Sequence, residues 1–131
     1  MFVILIMQLA VVPNHAVTPG LARPLTVQQI CTTKWGTDRR HVTATMKKQV
    51  ALNYGLKITD IATYGKGPCC EVDHLIPREL GGADDVRNLW PQPWENAKLK
   101  DVQENALHKA VCAGTMRLNT AQALMQNWTG K

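Results

Sequence analysis

Residues 71–100 read EVDHLIPRELGGADDVRNLWPQPWENAKLK, and the fold is decided there. The stretch starts inside a short run over residues 70–76 that carries Asp73 and His74 and is stopped by Pro77, which suits a brief strand. Gly81, Gly82, Asp84 and Asp85 form a turn cluster that folds the chain back on itself. Leu89 and Trp90 can then pair as a second short strand, ended by Pro91 and Pro93. Pro93 stands just ahead of a helix expected from Trp94 or Glu95 to Val111, a place where proline is tolerated. This order predicts an α+β unit in which the strand end bearing Asp73 and His74 meets the first helical turn bearing Asn96.

Outward from that stretch, helical periodicity supplies the supports. Leu99, Val102, Ala106 and Ala110 are expected to share one apolar face of the helix after the hairpin. Upstream, Met46, Val50 and Tyr54 recur every four residues between a Thr43 cap and a Gly55 stop, which predicts a helix over residues 43–54. Downstream, Ala121, Leu124, Met125 and Trp128 make a packed stripe on a last helix capped by Asn119 or Thr120. Trp90 and Trp94 flank the junction of second strand and helix and are expected to wedge the two together. Residues 61–69 hold two glycines and a proline and read as loop.

The N-terminal residues differ in kind. MFVILIMQLAVV is too short for a bilayer span, which needs about 20 apolar residues. It fits a signal-peptide core followed by breakers at Pro13 and Asn14, or a loosely packed tail. VTPGLARPLT lacks periodicity and reads as an extended linker or arm. The expected division is a leader and arm over residues 1–25 and one domain over residues 26–131. The leader implies a secreted or periplasmic protein; a cytoplasmic or phage-associated one is the alternative.

The chain has 131 residues and a formal charge of +5, and residues 1–20 hold none of its Lys, Arg, Asp or Glu. The length has room for one small domain, and the charge favours a polyanionic partner, although such a charge is also common in proteins that bind no nucleic acid. The four cysteines, 31, 69, 70 and 112, include no Cys-x-x-Cys pair, so no structural zinc is expected. In an exported chain Cys31 and Cys112 could bridge the two ends of the domain. Cys69 and Cys70 read first as thiols, with a bond between neighbours as the lesser reading.

The chemistry these residues can support is phosphodiester cleavage, which needs a base for water, a Lewis acid and donors to the backbone. His74 titrates near neutral pH. Asp73 and Asn96 offer hard oxygens of the kind Mg²⁺ accepts. Arg39, Arg40, Arg78, Arg87, Lys98 and Lys100 are candidate phosphate contacts.

The whole pattern resembles the HNH endonuclease motif, in the branch where D-H-L-I-P-x-E-L-G-G is followed by N-L-W-P and K-D-x-x-E-N-x-L-H. Here those elements are residues 73–82, 88–91 and 100–108, and the likeness covers roughly residues 26–114. The resemblance implies a ββα-metal (His-Me finger) core with flanking helices and metal-dependent hydrolysis of DNA with low sequence specificity. It further implies one divalent ion, Mg²⁺ or else Mn²⁺. His74 then matches the general base and Asp73 the first metal ligand. Asn88 matches the residue that ties down the interstrand loop and orients the His. Asn96, or Lys98 two positions on, matches the helical ligand. RNA remains open as a substrate. A non-catalytic nucleic-acid-binding or phage-assembly module on the same fold is the alternative, and an exported toxin payload with a neutralising partner is a further one.

Overall fold

In the computed structural model, residues 11–61 and 69–130 are described. The first ten residues of the leader and residues 62–68 of the expected loop lie outside them. The described chain is a small α+β fold, a two-stranded antiparallel hairpin followed by a long helix, with flanking helices. In order come α1 (Val27–Thr32), α2 (Ala44–Asn53), β1 (Cys70–His74), β2 (Leu89–Pro93), α3 (Trp94–Cys112) and α4 (Leu118–Gln126). None of these helices is long and apolar enough to cross a membrane.

The second strand does not stop at its prolines. It runs through Pro93, with His74 opposite Leu89 and Cys70 opposite Pro93. Leu75 N–H donates to Asn88 O at 2.8 Å and Trp94 N–H to Cys69 O at 3.4 Å, which marks alternate pairs as hydrogen-bonded. Val72–Pro91 and Cys70–Pro93 are the pairs between, where the missing N–H groups would point away from β1. Prolines two residues apart are therefore compatible with this strand, whereas neighbouring ones would not be.

Between the strands the chain makes two tight turns, Arg78–Leu80 and Val86–Asn88. Gly81 has φ 88° and ends the first. At Gly82 a Cβ would stand 1.7 Å from Ile76 O, so only glycine fits. The residues read as linker or arm are an arm, laid on this turn. Ala83 N–H donates to Leu21 O at 2.9 Å and Arg23 N–H to Gly81 O at 2.7 Å, and Thr18 is fully buried.

Helix α2 matches its reading, with Thr43 Oγ1 accepting from Met46 N–H at 3.1 Å and Gly55 at φ 66° after its end. Helix α4 begins earlier than expected, with Arg117 at the cap position instead of Asn119 or Thr120. Its stripe buries Ala121, Met125 and Trp128, while Leu124 is exposed. The main core joins Leu75, Ile76, Leu80, Trp90, Val111, Ala121, Met125 and Trp128, so Trp90 packs inside, its ring 5.7 Å from that of Trp128.

The face of α3 is the main correction. Leu99, Val102 and Ala106 look outward, and the side turned to the fold carries Lys100, Leu107 and Val111. Cys31 and Cys112 are joined, tying α1 to the end of α3. Cys69 and Cys70 are bonded to each other, against the first reading of free thiols.

Candidate active site

His74 is the last residue of β1 and is 5 % exposed. Its Nε2 lies 2.7 Å from Asp84 Oδ1, and its Nδ1 lies 3.4 Å from Arg40 Nη2. A carboxylate only accepts, so Nε2 carries the hydrogen, and in the neutral ring Nδ1 keeps the lone pair. Burial holds the His74 pKa below the ordinary 6.5; Asp84 opposes this, and the Arg40 charge adds to it. The imidazole is therefore neutral, and thus basic, at neutral pH.

Asp84 belongs to the turn cluster and was not read as a site residue. Its Oδ2 accepts from His41 N–H at 2.8 Å, and its Oδ1 also meets Arg78 Nε at 3.2 Å. Burial pushes its carboxyl up, but the His41 amide and His74 outweigh that and hold it below its usual range. Arg78 continues the chain of contacts to Asp38 at 2.6 Å and to Arg39 O at 2.9 Å. The signal for Asp84 was the Asp pair following Gly-Gly, which turn propensity alone explains.

Asn88 is fully buried and uses its whole amide. Its Nδ2 donates to Ile76 O (3.0 Å) and Ala83 O (3.1 Å), and its Oδ1 accepts from Ile76 N–H (3.0 Å) and Leu21 N–H (3.2 Å). One side chain thus ties both ends of the interstrand turn and the N-terminal arm, and its partner Ile76 stands two residues from His74.

Asp73 and His74, neighbours on a strand, turn to opposite faces. Asp73 faces α3, where Lys100 Nζ stands 2.8 Å from its Oδ2. The same ammonium donates to His74 O at 2.7 Å and to Glu104 Oε1 at 2.5 Å, and lies 5.9 Å from the Trp128 ring centroid. Lys100 is fully buried. Burial pulls its pKa down, yet Asp73 and Glu104 together raise it, so it stays charged. Glu104 is pushed up to about 8, by burial first, against the pull of Lys100. This buried ammonium is a correction to the expected phosphate contact, because its charge is met inside the fold by Asp73, Glu104 and the His74 carbonyl.

The other candidates separate in the same way. Arg40 and Arg39 are exposed near the His74 cleft, and Arg78 is mostly covered. Arg87 is exposed and paired with Asp85 at 3.0 Å, and Lys98 faces solvent on α3. Trp35, Arg40, Glu71, Asp73, His74 and Arg78 surround a cleft of about 200 Å³ beside β1.

The metal ligands implied by the resemblance, Asp73 and Asn96, have different neighbours. The nearest neighbour of Asp73 from α3 is the Lys100 ammonium, a charge that competes with a divalent ion. The Asn96 side chain lies by the C-terminal residues, its Nδ2 3.5 Å from where a Cβ on Gly130 would stand. Among the described residues no group of three or more His, Cys, Asp or Glu is arranged to hold a metal.

No protein-family model, curated protein or solved structure matches the chain.

Proposed function

We propose that the chain is a nuclease of the HNH, ββα-metal type that hydrolyses DNA phosphodiester bonds with low sequence specificity. The observation that carries this reading is the clamped His74, with Asp84 on Nε2 and Arg40 beside Nδ1 at the mouth of a cleft. A neutral imidazole can take a proton once the Arg40 guanidinium leaves Nδ1 for a phosphate, which it is placed to hold. In this mechanism His74 Nδ1 takes a proton from water, the water oxygen attacks phosphorus, and the bond to the departing sugar oxygen breaks. That oxygen takes its proton from solvent. Arg40 offers donors to the phosphate, Asp84 orients the ring, and Asn88 holds the turn that carries Asp84. Supporting the reading are the order hairpin then helix and the net charge of +5.

The resemblance also implies one divalent ion, Mg²⁺ or Mn²⁺. With Asp73 paired to Lys100, no step of this mechanism runs through it. The decisive assay is plasmid cleavage by wild type and His74→Ala with Mg²⁺, with Mn²⁺ and with EDTA. Nicking by wild type and none by His74→Ala is expected. An intact plasmid under every condition sinks the proposal, and the EDTA arm reads whether an ion is required. Substituting an RNA strand reads the second substrate class.

The same Asp73–Lys100 pair favours a second reading, a non-catalytic nucleic-acid-binding or phage-assembly module. It predicts salt-dependent DNA binding that His74→Ala leaves unchanged, without cleavage. We also propose an oxidising location, secreted or periplasmic, on the strength of the Cys31–Cys112 bridge.

A further inference from the structure

A second and larger cavity, of about 630 Å³, adjoins the His74 cleft and shares Trp35, Asp38 and Arg78 with it. Arg23 from the N-terminal arm and Arg39 also line it. Its volume is in the range of sites that enclose small organic ligands, about 300–1,000 Å³.

The charges around it are not equivalent. Each carboxylate on its wall has a partner: Asp38 holds Arg78, Asp84 holds His74 and Arg78, and Asp85 holds Arg87. Among the described residues Arg23 and Arg39 have no carboxylate partner. The Arg23 guanidinium sits 6.0 Å from the Trp35 ring centroid, and its Nε and Nη2 are buried with no hydrogen-bond acceptor. Such donors need oxygens from water or from a ligand that displaces it. Trp35 is anchored by its own Nε1–H, which donates to Ile30 O at 2.8 Å, so its ring is a fixed wall between cavity and cleft. A rigid indole, an unsatisfied guanidinium and a nearby exposed arginine match a base and its phosphate together.

We infer that this cavity receives an unpaired nucleotide adjoining the phosphate held at His74, so that the protein favours single-stranded over duplex DNA. A base within a duplex is stacked and cannot enter such a pocket without being extruded. The inference deepens the nuclease reading and rests on it for its purpose, but binding can be measured apart from cleavage.

The test uses the full chain in EDTA and fluorescence anisotropy with a short fluorescein-labelled DNA strand, alone or annealed to its complement. Trp35→Ala and Arg23→Gln are each expected to weaken single-strand binding by roughly tenfold, with duplex binding changed less than about twofold. Trp35→Phe, which keeps a stacking face, should retain most of the affinity, and it decides the matter together with Arg23→Gln if Trp35→Ala does not fold. Wild-type single-strand affinity in these variants, or an equal loss on duplex, overturns the inference. Plasmid cleavage by a wild type that shows no Trp35-dependent strand preference overturns it alone. Trp35-dependent binding without cleavage upholds the pocket and overturns the nuclease reading instead.

Discussion

Lys100→Met removes a fully buried ammonium whose three oxygen partners are Asp73, Glu104 and the His74 carbonyl. The methionine fills much the same volume, so the loss is electrostatic and not a cavity. Breaking a buried pair by removing one partner costs about 3–5 kcal/mol, because the remaining charge is stranded. Here the cost should depend on pH. Glu104, at about 8 with Lys100 present, is pulled down by that lysine, so in the variant its carboxyl rises further. At pH 5 it is neutral in both proteins, and the variant loses the Asp73 pair and the two hydrogen bonds. Near pH 9 wild-type Glu104 is ionised against its lysine, while the variant must keep it protonated or strand it. Urea denaturation at both pH values reads the difference. A loss of about 3 kcal/mol near pH 5 that grows toward pH 9 is expected, and Lys100→Met with Glu104→Gln should remove the growth. A penalty under about 1 kcal/mol, or one that is flat with pH, would refute the buried network.

Asp84→Asn should lower plasmid cleavage by roughly one to two orders of magnitude, because the base loses its orienting partner. Burial already puts the acid limb of the wild-type pH profile below 6.5, and since Asp84 raises the His74 pKa, the limb should move to still lower pH in the variant; an upward shift would contradict the assignment. The same depressed pKa means that stability contributed by neutral His74 is present above 6.5 and is lost as pH falls through the folded value, which a melting series in acid can follow. Gly82→Ala forces a Cβ to 1.7 Å from Ile76 O and should abolish folding or cost at least about 3 kcal/mol, whereas Gly114→Ala, which meets nothing within 4 Å and is strained only by its φ of 77°, should cost about 1 kcal/mol by thermal denaturation. Opening Cys31–Cys112, which closes a span of 81 residues, should destabilise by up to about 4.5 kcal/mol in the chain-entropy model, measured with Cys31→Ser and Cys112→Ser together.

The hairpin and its helix were legible because turn residues announce themselves locally. Pro77 and Pro93 restrict the backbone, and the Gly-Gly pair permits a left-handed φ and a close approach that other residues would block. The end of β2 was misread because a proline's effect depends on which way its nitrogen faces, and that follows from register, which no local pattern carries. The face of α3 was misread for a related reason. Periodicity of apolar residues chose Leu99 and Val102, while the buried position belongs to Lys100, whose charge is met by Asp73 and Glu104. Only Glu104, one turn along, was visible as a partner in the sequence. Within the site, His74 and Asn88 could be singled out from the motif's spacing. Asp84 could not, since an aspartate in a turn needs no further explanation until an imidazole is found 2.7 Å away.

The alternation of the prolines along β2 also bears on association between copies. The outward positions of that strand are Leu89, Pro91 and Pro93; the Leu89 amide is bonded to Val86 O, and its carbonyl accepts from Thr18 Oγ1 at 3.0 Å. The two prolines have no amide to offer. That edge consequently has no donor with which to template another chain, a safeguard against edge-to-edge aggregation. On β1, Cys70 bridges to Ile61 and the His74 carbonyl is held by Lys100, which leaves Val72, on the wall of the cleft. A strand that added to this sheet could do so only there, across the approach to His74.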